Sequence, residues 1–450
     1  MKERTIGSDF TTGNIPKQLV IFATPLFLSS LLQVVYNMVD MIIVGNVLGE
    51  AGLSAVAVGG DVSNMLMFLG MGFANAGQVI ISKYIGAGQK EKVGKFIATM
   101  FTTLFVAAIT LSAVCLLFRT QFLHLMNTPD EAFTEALNYS TICIIGMVFI
   151  YGYNAISAVL RGLGDSKHPF IFISIAAILN VFLDLLFVVG FDAGAGGAAL
   201  ATVISQCISF ISCAVFILRK RETLGFDICL SDFLHIDFSM LSDLAKLGMP
   251  MAIKSASIHF SKLFVNSWIN SYGVAVSAFA GVANKINSIS NLLSNSLNTA
   301  GSSMVGQNIG AKTYKRIPKI IMTIATATLS MAVIMSLLIY SFPNQIFGIF
   351  TQEADVLIIA KEYLPIAALI FFGSACRAPA NAIINGSGNY KINFATAILD
   401  GIVLRIGLSV LFGLYLDMGY LGFWLGDALA GFTPMFIGLV FYYAGNWREK

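Results

Sequence analysis

Charge is what this sequence has least of. Only 11% of its 450 residues are Asp, Glu, Lys or Arg, against about a quarter in an ordinary soluble domain. Hydrophobic residues make up 57% and the mean hydropathy is +0.80, which excludes a soluble globular protein and leaves an integral membrane protein. The net charge of +3 is too small and too dispersed to point to nucleic acid. Cysteine is sparse and unpaired. The six (Cys115, Cys143, Cys207, Cys213, Cys229 and Cys376) form no CxxC motif, and all but Cys229 fall in apolar runs, so they read as small buried hydrophobes. Four scattered histidines offer no metal site. There is no Walker-type phosphate loop, no HExxH and no GxSxG, so neither ATP hydrolysis nor another enzymatic activity is expected, and no cofactor. Gly194-Ala195-Gly196-Gly197-Ala198-Ala199 superficially resembles a dinucleotide fingerprint. It opens an apolar segment with no soluble strand before it, so close helix packing is the better reading.

What is present is a series of apolar windows of spanning length. Twelve are expected, with cores near 18–44, 53–81, 96–118, 137–160, 169–190, 197–218, 247–270, 275–305, 320–342, 363–384, 393–415 and 420–444. The fold class is therefore an all-α integral membrane protein, and the first run is long enough to be a retained helix. Basic residues crowd alternate connections. Lys2, Arg4 and Lys17 precede the first span; Lys83, Lys90, Lys92 and Lys95 follow the second, and Arg161 and Lys167 the fourth. Arg219, Lys220, Arg221 and Lys246 follow the sixth, Lys312, Lys315, Arg316 and Lys319 the eighth, Lys391 the tenth, and Arg448 and Lys450 the last. The odd-numbered connections contribute Arg119 and Lys361. Twenty basic residues against two predict that both termini are cytoplasmic in a multi-pass protein of the plasma (inner) membrane.

The two halves repeat with an offset of about 224 residues. Ile85-Gly86-Ala87-Gly88 is answered by Ile309-Gly310-Ala311-Lys312, Gly162-Leu163-Gly164-Asp165 by Gly386-Ser387-Gly388-Asn389, and Pro25 by Pro250. Six spans is an even number, so both halves enter the membrane with the same orientation, as two six-helix bundles related by a pseudo-two-fold axis along the membrane normal. The expected division is an N-terminal half over 1–218, a cytoplasmic linker over 219–246 and a C-terminal half over 247–450.

Polar residues inside the spans are few enough to examine one by one. Gln33, Asn37 and Asp40 share one helical face, with Tyr36 beside them. An ionisable residue inside a span costs about 2.5 to 3.5 kcal/mol on insertion scales, so Asp40 is either an ion, proton or substrate contact or a structural hydrogen-bonding group. The fifth span adds Asn180 and Asp184, four apart on one face. The fourth adds Tyr151 and Asn154, and the sixth Thr202. All of these lie in the N-terminal half, and their oxygen and amide groups suit protons or Na⁺, not soft metals. A free aspartate, with a pKa of about 3.9, stays ionised at neutrality. Proton cycling thus requires a changed environment, and two carboxylates brought close would titrate as one coupled pair.

The C-terminal half reads differently. Its seventh span carries Lys254, His259 and Lys262 and its tenth Arg377, which would repel a bound cation. Asp400 is placed to pair with Arg377 or Arg405. In the eighth span Asn284, Lys285, Asn287, Ser288, Asn291, Asn295 and Asn298 make a polar stripe that either faces a hydrated cavity or joins neighbouring helices.

Twelve spans in a six-plus-six repeat, the Pro25 to Asp40 first helix, the Gly86-Ala87-Gly88 turn before Gln89 and the Arg161-Gly162-Leu163-Gly164-Asp165 turn together resemble the multidrug and toxic compound extrusion (MATE) family over essentially the whole chain. The pattern is most similar to its DinF-like branch. The resemblance implies a secondary exporter of organic, often cationic, drugs or toxins that rocks between two access states in exchange for protons or Na⁺. It makes Asp40 the principal coupling carboxylate, with Asp184 and Asn180 as neighbours and Asn154 and Thr202 nearby, Na⁺ being an alternative occupant at Asp40, Asn180 and Asp184. The substrate cavity would draw on Gln33, Tyr36, Asn37 and Tyr151, and on Lys285, Asn284, Asn287 and Asn291. The expected partners are small molecules and the lipid bilayer, with the protein a monomer. A flippase for a lipid-linked precursor is the alternative, favoured by the fixed cations and disfavoured by a count of twelve spans.

Overall fold

The computed structural model describes residues 7–126, 128–224, 226, 228, 230–351, 353–445, 447 and 448. Lys2, Arg4, Cys229 and Lys450 lie outside these. Among the described residues the chain is helical throughout, without strands. The helices are α1 (Ile15–Gly86), α2 (Lys90–Leu125), α3 (Asp130–Gly162), α4 (Lys167–Asp184), α5 (Gly194–Leu224), α6 (Phe238–Asn270) and α7 (Val274–Gly310). They continue as α8 (Ile317–Ser341), the short α9 (Pro343–Gly348), α10 (Ala354–Gly386), α11 (Tyr390–Ile398), α12 (Leu404–Val410), α13 (Gly419–Ala430) and α14 (Thr433–Ala444).

Twelve passes follow from these elements. Gly49, at φ 65°, divides the 72-residue α1 into two limbs, a backbone geometry that glycine adopts without a Cβ penalty. The π-helical turn Leu185–Gly190 extends α4, π-helical turns at Leu399–Val403 and Leu411–Tyr415 join α11 and α12 into one pass, and α13 with α14 makes another. Nine of the described helical stretches are long and apolar enough to cross a membrane. Helices α6 and α7, at 33 and 37 residues, exceed the roughly 20 residues needed but are more polar, with Lys254 and Lys262 in α6 and Lys285 among the asparagines and serines of α7.

By compactness the chain forms two units. The first comprises the residues up to Asp9 and Thr24–Ala252; the second comprises Phe10–Ala23 and the chain from Ile253 onward. In the first, α2 and α3 pack Phe96, Ile97 and Met100 against Ile156 and Leu160, while Ala195, Ala198 and Ala199 of α5 sit against Val44, Ala55 and Tyr139. The glycine-rich start of α5 is a packing and capping device: Glu135 Oε2 accepts the Ala195 amide at 2.7 Å, a carboxylate at the positive end of a helix. In the second unit the core is aromatic, with Phe279, Tyr363 and Trp424 in edge-to-face contact at 4.9–5.5 Å.

The internal repeat is structural as well as sequential. Left-handed backbone recurs at Gly49 and Gly273, Gly88 and Lys312, Gly164 and Gly388, and Asp192 and Asp417. A Cβ on Gly162 would meet Gln78 O at 2.8 Å and Ile81 Cβ at 2.9 Å; on Gly386 it would meet Ser302 O at 2.9 Å and Val305 Cβ at 2.7 Å. These neighbours are themselves 224 positions apart, so each half makes the same close helix crossing. The caps correspond too: Asp165 Oδ1 accepts the amides of Lys167 and His168 at 3.0 and 3.2 Å, and Asn389 Oδ1 accepts that of Ile392 at 3.3 Å.

Candidate functional site

Each unit holds one intramembrane polar cluster. In the first unit it is built on α1, α4 and α5. Helical spacing puts Tyr36 and Asp40 on one turn of α1, Asn180 and Asp184 on one face of α4, and Thr202, Ser205 and Gln206 on one face of α5. Tyr36, Asn180, Thr202, Ser205 and Gln206 line a small cavity of about 10 Å³, and Asn180 Nδ2 donates to Thr202 Oγ1 at 3.3 Å. Asp40 and Asp184 are close enough to interact electrostatically with each other and with Tyr36, and Tyr139 of α3 is in reach of Asp40.

Burial is what makes this cluster unusual. Asp40 is 8% exposed, Asn180 2% and Asp184 0%. Asp40 Oδ1, both carboxylate oxygens of Asp184, Asn180 Oδ1 and Gln206 Oε1 have no hydrogen-bond donor among the described residues. An unpaired buried acceptor costs about 1 to 3 kcal/mol, more when charged, so a set of them in one place is a costly arrangement.

Asn154, expected with the coupling residues, and Gln33, Asn37 and Tyr151, expected to line a substrate cavity, lie outside this small cavity. Tyr151 turns away, donating its hydroxyl to Leu66 O at 2.5 Å. Gln33 and Asn154 are half-buried and Asn37 exposed, and none of the three lines the small cavity. Ser205 and Gln206 were not anticipated, although their i, i+3, i+4 spacing from Thr202 was visible in the sequence.

The second unit's cluster surrounds a larger cavity of about 240 Å³. Asn284, Asn287, Ser288 and Asn291 of α7 line it, while Lys285 is exposed and does not. The stripe is both lining and joinery. Asn287 Nδ2 donates to Tyr363 OH at 2.9 Å, and Ser374 Oγ donates to Asn291 Oδ1 at 3.0 Å. Arg405, 2% exposed, donates to Asp400 at 3.0 Å and also contacts Asp427. Arg377 reaches Asp400 at 3.4 Å, so Asp400 pairs with both arginines. Asp427, in the last span, is the partner that the sequence reading passed over; a carboxylate in so apolar a run was signal enough. Lys254 Nζ is held by Asn381 Oδ1 at 2.6 Å.

The MatE family model matches residues 25–186 and 250–414, one match in each half. The chain belongs to the MATE family. Among curated relatives, a probable multidrug resistance protein of Bacillus subtilis, YpnP, is 30% identical over 98% of this chain and 97% of its own length. Another from the same organism, YoeA, is 29% identical over 96% and 94%. A solved MATE family transporter in an outward-facing conformation superposes with a TM-score of 0.90 at 21% identity, covering 99% of each chain, which shows the same two-bundle fold. The protein is thus an integral membrane protein of a transporter family.

Proposed function

We propose that this MATE protein is a secondary multidrug exporter that expels organic, often cationic, compounds by antiport with protons, Na⁺ being the alternative coupling ion. The relatives' names support export of drugs over movement of a lipid-linked precursor, and support a carrier over an enzyme. The observation that carries the coupling is the donor-free set formed by Asp40, Asn180 and Asp184. Two ionised carboxylates buried beside each other would cost several kcal/mol per ion, so a proton or Na⁺ completes the set. Asp40 is the principal coupling group, Asp184 and Asn180 its neighbours, and Thr202 orients Asn180. Asn154 belongs with the coupling set in this reading; Gln33, Tyr36, Asn37 and Tyr151 are substrate-side groups, as are Asn284, Lys285, Asn287 and Asn291 in the other half. Each unit carries its own polar site, so a monomer suffices.

The transport cycle is alternating access by rocking of the halves 1–218 and 247–450 joined by the 219–246 linker. Both termini lie on the cytoplasmic side of the plasma (inner) membrane in this reading, which the basic-residue asymmetry supports. One charge moved through roughly 100 mV is worth about 2.3 kcal/mol, on the order of a fifty-fold gradient. A monovalent cation exchanged for one proton moves no net charge, so that exchange draws on the pH gradient alone.

The test is ethidium efflux from drug-sensitive cells expressing wild type or Asp40→Asn at matched membrane levels, with and without a protonophore or Na⁺. Efflux that disappears in the variant supports the reading; dependence on the protonophore or on Na⁺ names the ion. No efflux by folded wild type would overturn the cationic-drug reading.

A further inference from the structure

The cavity of the second unit has the wrong sign for a cation. Three cationic side chains line it, Lys262, Arg377 and Arg405, against one lining carboxylate, Asp427. Arg405 is committed to Asp427 and Asp400, and Arg377 shares Asp400 through a long 3.4 Å contact. With Asp400 counted, two arginines face two aspartates and Lys262 is in excess. Among the described residues no carboxylate lies within salt-bridge distance of Lys262, and the buried Arg377 Nε has no acceptor. The cavity therefore holds under-used cationic donors. Around them stand the amides of Asn287 and Asn291 and two aromatic rings, Tyr363 and Trp424, in edge-to-face contact with centroids 4.9 Å apart.

We propose that this cavity binds a small aromatic carboxylate, its anionic end held by Lys262 and Arg377 and its ring against Trp424 and Tyr363. A carboxylate supplies an acceptor to Lys262 and one to Arg377 beyond its long contact with Asp400, and charge-assisted bonds are the strong ones. The volume of 240 Å³ exceeds that of a few water molecules, each of about 30 Å³, and Val265, Ile370, Trp424 and Ala428 give the wall an apolar part, which favours an organic anion over a halide. The site accepts carboxylates, or zwitterions through their anionic end, and is separate from the carboxylates of the first unit. It stands or falls independently of proton coupling.

Equilibrium binding tests it. Purified full-length protein in detergent micelles is titrated by calorimetry with 1-naphthoate, with 1-naphthamide, and with sodium chloride alone. Naphthoate is expected to bind about tenfold or more tighter than the amide, the worth of one good charge contact. Lys262→Met should weaken naphthoate by at least about tenfold, Lys262→Arg should restore it, and Arg377→Gln should act like Lys262→Met. Lys319→Met, which removes an exposed lysine elsewhere, should bind as wild type. If Arg377→Gln does not yield monodisperse protein, the Lys262 pair decides, because Lys262 makes no ion pair on which folding depends. Amide binding as tight as the carboxylate, no binding of either, chloride binding without naphthoate binding, or naphthoate binding indifferent to Lys262→Met would each overturn the proposal.

Discussion

Arg405 is the group on which the second unit's polar cluster depends, and its removal gives the sharpest stability prediction. Its guanidinium serves two carboxylates, Asp400 at 3.0 Å and Asp427, and it is 2% exposed while Asp400 is fully buried. Arg405→Met keeps the length and apolar volume of the side chain but leaves Asp427 without its hydrogen-bonded cation and Asp400 with only the 3.4 Å contact to Arg377. Removing one partner of a buried pair costs about 3 to 5 kcal/mol. For a unit of roughly 200 residues, at about 2 to 4 °C per kcal/mol, the loss corresponds to about 6 to 20 °C. The assay is thermal denaturation of the detergent-purified protein followed by loss of the monodisperse peak in size-exclusion chromatography. The penalty comes largely from the stranded Asp427, so adding Asp427→Leu to Arg405→Met, which leaves Asp400 to Arg377, should recover part of it. Arg405→Met as stable as wild type, or a double variant less stable than the single one, would refute the reasoning.

Two further predictions come from the first unit and from the repeat. Asp184→Asn should slow ethidium efflux less than Asp40→Asn does while leaving expression intact, because the coupling group remains and only its neighbour has lost titration; an equal or greater loss would reassign the principal role to Asp184. Gly162→Ala and Gly386→Ala should each lower the melting temperature by about 2 to 12 °C, the overpacking cost of about 1 to 3 kcal/mol, because both added Cβ atoms would sit under 3.0 Å from backbone and side chain of the facing helix. Equal tolerance at both sites would mean that the repeated crossing is looser than it looks.

The spans were legible because apolar length is a strong signal: the twelve expected cores coincide with helical passes, the ninth overrunning α8 at Phe342 and the last crossing the turn at Gly431 and Phe432, and the break between the first two falls at Gly49. The repeat was legible from its turns, since Gly164 and Gly388 mark left-handed backbone in both halves. Less was legible where several helices must converge. Spacing put Asn180 and Asp184 on one face, and Asp184 does lie in electrostatic reach of Asp40. Nothing in the spacing of α3, however, shows that Tyr151 turns to Leu66 instead of joining the cluster. The π-helical turns after Asp184 and around Asp400 have no local signature in the sequence. Asp427 stands alone in its apolar run, and spacing along one span does not show that it meets Arg405 of another.

The central claim is that the first unit's carboxylates couple export to an ion gradient. It is tested most directly in proteoliposomes, where purified wild type or Asp40→Asn, incorporated at equal density, faces an imposed pH gradient or an imposed Na⁺ gradient and ethidium movement is followed by fluorescence. The account predicts gradient-driven ethidium movement by wild type, driven by one of the two ions, and none by Asp40→Asn. Gradient-driven movement that survives Asp40→Asn at the wild-type rate would contradict it.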